Sequence, residues 1–151
     1  MACPEDFGDV FEALQNAGAP YVVVGGVAAV LHGLDRPVAD VDIVVPSDTS
    51  LANIAMQALF MNGFVPTVPL PLELVTILRL FDSSGREVDV IARPLVPFDE
   101  LGPDSIDLPV GQALARVASL SHLIRGKELS GRPEDLEDVR RLMAIQQSQA
   151  P

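Results

Sequence analysis

The chain has 151 residues, enough to bury one hydrophobic core and short for two, so a single domain over residues 1 to 151 is expected. Ten Lys and Arg against 21 Asp and Glu leave a net charge of −11, which repels polyanions; a nucleic-acid substrate would need a local basic patch or a bound divalent cation. Hydrophobic residues make up 48%, yet no stretch reaches the roughly 18 uninterrupted apolar residues of a membrane span. Cys3 is the only cysteine, which excludes an internal disulfide and a cysteine zinc site. The N-terminal MACPEDFGDV carries acids where an export signal carries basic residues, so a cytoplasmic location is expected.

Phe7, Val10, Phe11 and Leu14 recur at helical spacing, and Gly18 with Pro20 supplies a stop, which predicts a helix over about residues 4 to 17. Residues 21 to 24, YVVV, read as a short buried strand, ended by Gly25-Gly26 before a small-residue helix over 27 to 32. Gly33 and Pro37 precede a second strand over 40 to 45, closed by Pro46. Ser47 or Asp48 caps the next helix, whose apolar positions run from Leu51 to Leu59 and stop at Gly63. Residues 64 to 73 hold three prolines and read as an irregular loop after a brief strand. The runs at 76 to 81 and 87 to 91, joined by DSSGR, predict an antiparallel hairpin. Four prolines between 94 and 109, without periodicity, read as a surface connection. A last short strand is expected near 114 to 118. Ser119 then caps a helix to about 129, Gly131-Arg132-Pro133 breaks it, and a final helix leads into a frayed polar tail over 146 to 151. These elements predict an α/β (α+β) fold, a small mixed β-sheet with helices packed mainly on one face.

Two acids in a strand that otherwise reads as buried require an explanation. Side chains alternate along a strand, so Asp40 and Asp42 share one face about 7 Å apart while Val41 and Ile43 take the other. Oxygen ligands at that spacing suit a hydrated Mg²⁺ ion, and Asp89 joins them if its strand pairs beside the first. Three acids around two divalent ions serve in-line phosphoryl or nucleotidyl transfer. Gly25-Gly26 after a strand lets backbone N–H groups approach phosphate oxygens. Neither a P-loop nor a dinucleotide fingerprint is present. Asp89 has a competing role, an ion pair with Arg79 or Arg86 across the hairpin. His32, without a second histidine at metal spacing, reads as a helix-end residue bonded to backbone. Arg36 either steers phosphates or is a solvated loop charge, and Arg132 with Asp135 would fasten the helix junction.

Taken in order, Gly25-Gly26, Asp40-Val41-Asp42 and Asp89 resemble the DNA polymerase beta-like nucleotidyltransferase superfamily. Within it the chain is similar to the small bacterial subgroup of AbiEii-like toxin nucleotidyltransferases, through Gly25, Gly26, Ala28, His32, Gly33, Arg36, Asp40 and Asp42. The ending SLSHLIRGKELSGRPEDLEDVRRL looks like that subgroup's, and the resemblance covers roughly residues 19 to 143. It implies Mg²⁺-dependent transfer of a nucleoside monophosphate from an NTP, such as ATP, to a hydroxyl, releasing pyrophosphate. Asp40, Asp42 and Asp89 would be the catalytic metal ligands, and Gly25 and Gly26, with Arg36 and Lys127, the nucleotide contacts. The acceptor is open among a small molecule, a tRNA end and a protein side chain, and a toxin or antitoxin partner is implied. The chain carries Val38 where the subgroup usually has Thr, so a catalytically inactive form that binds nucleotide or a partner protein is the alternative.

Overall fold

The computed structural model describes residues 2 to 149. A 3-10 turn, Pro4–Phe7, leads into α1 (Gly8–Asn16), so the first predicted helix begins as a tighter turn. Then come β1 (Val22–Val24), α2 (Gly25–Leu31), β2 (Asp40–Val44), α3 (Thr49–Met61) and a two-residue β3 (Val65–Pro66). After a second 3-10 turn, Leu72–Leu74, the chain forms the hairpin β4 (Ile77–Phe81) and β5 (Glu87–Ile91). It continues through α4 (Phe98–Asp104), β6 (Ile106–Val110), β7 (Ala113–Val117), α5 (Leu120–Ser130) and α6 (Pro133–Gln149).

The strands form one seven-stranded mixed sheet in the order β3-β4-β5-β2-β1-β7-β6. β2 runs parallel to β5 and β1 parallel to β7, while the other neighbouring pairs are antiparallel. Period-two alternation divides the central strands. Val41, Ile43, Val88 and Val90 are fully buried on one face, in a core shared with Phe7, Phe11 and Leu14 of the N-terminal segment and with Leu59 of α3. The acids are thereby turned to the opposite face. At about 25 cal/mol per Å² of apolar surface, burying these four side chains opposes a rotation of the strand that would expose them, and the carboxylates stay where the pattern puts them.

Local chemistry ends the elements as the sequence predicts. Asp48 caps α3 by accepting from the Leu51 backbone N–H at 3.2 Å, and Ser119 caps α5 by accepting from His122 N–H at 3.1 Å. Gly131, at φ 67°, closes α5 in the left-handed region.

Three expectations are corrected. The segment from 94 to 109 is not a plain surface connection but holds α4 and β6. Its prolines are compatible with both: Pro97 precedes the first turn of α4, and Pro109 sits on β6, an outer strand that needs hydrogen bonds on one side only. Gly25 and Gly26 are not a loop between strand and helix but the first two residues of α2. The polar tail is helical as far as Gln149, and residues 150 and 151 lie outside the described residues.

Candidate active site

Parallel pairing of β2 with β5 sets Asp42 beside Asp89 and Asp40 beside Glu87. One oxygen from each of Asp40, Asp42 and Asp89 lies within 4.8 Å of the others, so acids 47 positions apart in sequence converge on one point. Asp89 Oδ1 is buried and has no hydrogen-bond partner among the described residues. A buried carboxylate oxygen left without a donor is costly, and a cation is the partner that satisfies it together with two neighbouring carboxylates.

The electrostatics agree. Burial, reinforced by Asp40 and Glu87, pushes Asp42 up to about 7. Asp89 is pushed up to about 8 by burial, then by Glu87 and Asp42. Asp40 is raised by burial and Glu87 as well. Three carboxyl groups that resist ionising without a cation form a site whose donor set fits Mg²⁺, all oxygen and compact.

Gly25 presses its backbone against this cluster. A Cβ built at Gly25 would stand 2.2 Å from Asp42 Oδ2, and the residue holds φ +71°. Only glycine meets both conditions, so the start of α2 and the Asp42 carboxylate share one small volume. Gly26 plays the same part toward a cation, since a Cβ there would lie 3.3 Å from Arg36 Nη2.

The sequence-predicted nucleotide contacts fall on this side too, but they are already paired. Arg36 and Lys127 both reach Asp138 Oδ2 of α6, Lys127 at 3.0 Å, and Lys127 also lies 3.5 Å from Asp135. Asp135 accepts from Ser130 and, at 2.8 Å, from Arg132, which ties α5 to α6 as the sequence suggested. Asp138 is 4% exposed, so the two cations converge on a buried carboxylate rather than on solvent. His32 makes a 2.8 Å hydrogen bond through Nε2 with the Ala118 carbonyl, the backbone role expected of it.

Of the two candidate partners for Asp89 across the hairpin, Arg79 approaches it, Nε to Oδ2 at 3.7 Å, while Arg86 turns away to Asp9 at 2.7 Å and Asp82 at 2.8 Å. Two further acids escaped the sequence reading. Glu87 carried a signal, the same i, i+2 spacing to Asp89 that joins Asp40 to Asp42. Asp138 carried none, because its partners are 102 and 11 positions away. Val38 is a core residue, 4% exposed, its backbone bridged to Ala2 by hydrogen bonds of 3.0 and 3.3 Å.

Beside Asp42 and Gly25 opens a cavity of about 380 Å³ between the sheet, α5 and the segment after β5. Val44, Ile91, Leu101 and Leu123 give it apolar walls, and Lys127 and Arg132 stand among its polar groups. That volume suits one small molecule.

No protein-family profile and no curated protein sequence matches the chain. Solved structures do. A nucleotidyltransferase-like antigenic protein from Paracoccidioides brasiliensis is 19% identical, with a TM-score of 0.63 over 98% of this chain and 77% of that one. Lincosamide antibiotic adenylyltransferase LnuA, bound to lincomycin, is 16% identical, with a TM-score of 0.64 over 93% of this chain and 96% of its own. ANT(2")-Ia in complex with adenylyl-2"-tobramycin is 12% identical, with a TM-score of 0.58 over 93% and 92%. The mixed α/β architecture of this chain is therefore the one that nucleotidyltransferases and antibiotic adenylyltransferases share.

Proposed function

We propose that the protein is a Mg²⁺-dependent nucleotidyltransferase that moves a nucleoside monophosphate from an NTP to a hydroxyl acceptor and releases pyrophosphate. The observation that carries this reading is the convergence of Asp40, Asp42 and Asp89 within 4.8 Å beside a glycine whose Cβ would collide with Asp42. In it, Asp40, Asp42 and Asp89 hold the metal. Bound there, Mg²⁺ supplies neutralising charge to the phosphate oxygens and makes the acceptor hydroxyl more acidic. The backbone N–H groups of Gly25 and Gly26 receive the terminal phosphates, which approach closely because no side chain intervenes. Asp89 also takes the acceptor's proton. Arg36 and Lys127 meet the phosphates from positions fixed by Asp138.

The acceptor that fits best is a small hydroxyl compound. The net charge of −11 opposes a polyanion, and two proteins of this fold were solved with an antibiotic or its adenylyl product. A role as an AbiEii-like toxin with an antitoxin partner in the cytoplasm is supported by the Gly25 to Asp42 motif alone.

The test is the Asp40→Asn, Asp42→Asn double variant, assayed for pyrophosphate release from each NTP with Mg²⁺. Turnover should fall to background with the fold retained by circular dichroism; unchanged turnover overturns the assignment. A second reading, nucleotide binding without transfer, is favoured by Val38, which offers no hydroxyl. Calorimetric binding of Mg·NTP by a wild-type protein that releases no pyrophosphate would establish it instead.

A further inference from the structure

The level of the sheet that carries the acids extends one strand beyond them. Register sets Val24 of β1 beside Asp42, Asp42 beside Asp89, and Asp89 beside Arg79 of β4, so one row on one face reads Val24, Asp42, Asp89, Arg79. Gly25 stands at the β1 end of this row and a guanidinium at the β4 end. The other cations around the site are engaged: Arg36 and Lys127 by Asp138, Arg132 by Asp135, and Arg93 by the Glu73 carbonyl at 2.9 Å. Arg79 is not. Among the described residues its side chain makes no hydrogen bond, its one ion pair is the 3.7 Å approach to Asp89, and the side chain is 64% exposed. Five N–H donors are therefore free to meet whatever sits above Asp89.

We propose that Arg79 is a catalytic residue, donating to the non-bridging oxygens of the phosphoryl group as it passes to the acceptor; this rests on the nucleotidyl-transfer reading above. In-line displacement places the leaving pyrophosphate and the incoming oxygen on opposite sides of the phosphorus. With the terminal phosphates at Gly25-Gly26, the row sets Asp42 and Asp89 beneath the α-phosphorus and Arg79 on the incoming side. The acceptor oxygen bonds to the α-phosphorus as the bond from that phosphorus to the bridging oxygen breaks. The acceptor's proton goes to Asp89, and pyrophosphate leaves with the electron pair. Negative charge on the equatorial oxygens is then met by a planar fork suited to two of them at once. A point charge on a lysine would serve less well.

Arg79→Ala and Arg79→Lys are compared with the wild type for Mg²⁺-dependent pyrophosphate release from each NTP, with water as the acceptor. Binding of Mg²⁺ and α,β-methylene ATP is followed in parallel by calorimetry. The alanine variant should lose about 10- to 100-fold in kcat, and the lysine variant should recover part of it, while Kd for the analogue stays within about twofold. Wild-type kcat in the alanine variant overturns the proposal. So does a loss of metal or analogue affinity that matches the loss in rate, which would make Arg79 a support for Asp89 and nothing more. A wild-type protein that consumes no NTP removes the underlying reading, and this assignment with it.

Discussion

At the scale of single residues, Gly25 is the position least able to change. Replacing it with Ala forces a side chain into the left-handed region, at about 1–2 kcal/mol, and drives the new methyl into the Asp42 carboxylate. The strain can be relieved only by moving Asp42 or the first turn of α2. Gly25→Ala should therefore lower stability by at least about 1 kcal/mol and weaken Mg²⁺ affinity about 10-fold or more, read by thermal denaturation and by titration with Mg²⁺. Wild-type Mg²⁺ affinity in that variant would mean that the two groups do not share their space. The acids at this site were legible from the alternation of Asp40 with Asp42, because a two-residue period is a local property. Their meeting with Asp89 was legible only through the order of the motifs. Asp138 was not legible at all, since only the packing of α6 against α5 brings it to Arg36 and Lys127.

At the scale of elements, the β4–β5 hairpin is fastened to the N-terminal segment by Arg86. Its guanidinium pairs with Asp9 of α1 and Asp82 of the turn, donates to the Asp6 carbonyl at 2.7 Å, and lies 5.2 Å from the Phe64 ring centroid. Removing it leaves two carboxylates without a cation and an aromatic face uncovered. Arg86→Ala should lower stability by about 1–3 kcal/mol, measured by urea denaturation, with the Mg²⁺ affinity of the folded protein within about twofold of wild type, because β2 and β5 still pair. A loss of metal affinity at equal folded fraction would show that the hairpin clamp, not the strand pairing, holds Asp89. The hairpin itself was plain in the sequence from its turn residues. The α4 and β6 segment was hidden because proline reads as a breaker whether it interrupts an element or merely flanks one.

At the scale of the whole molecule, two sets of carboxylates oppose each other in pH. Asp42 and Asp89 titrate near 7 and 8 in the folded protein against about 3.9 when unfolded, so between those values the folded state holds more protons. Stability must then fall as pH rises from about 4 to 8. A second set has the opposite sign. Asp9 is lowered by Arg86, and at Asp82 the cost of burial is outweighed by bonds from Arg86 and Ser84, bringing it to about 2. The stability these contribute is lost only as pH drops below about 4. In EDTA the melting temperature should accordingly peak near pH 5 and decline toward pH 8.5, and millimolar Mg²⁺, which binds the ionised acids, should flatten the alkaline side. A melting temperature that climbs from pH 5 to 8.5 without metal would contradict the burial of the cluster.

The convergence of Arg36 and Lys127 on Asp138 has a temporal side. Asp138 belongs to α6, which follows Gly25-Gly26, the strand acids and both cations in the chain. Until α6 emerges and docks, the two basic groups have no fixed anchor beside the glycines, so a nascent polypeptide that stops short of α6 holds the three acids but not an ordered pair of cations. Synthesis of α6 is in that sense the step that fixes both cations in place.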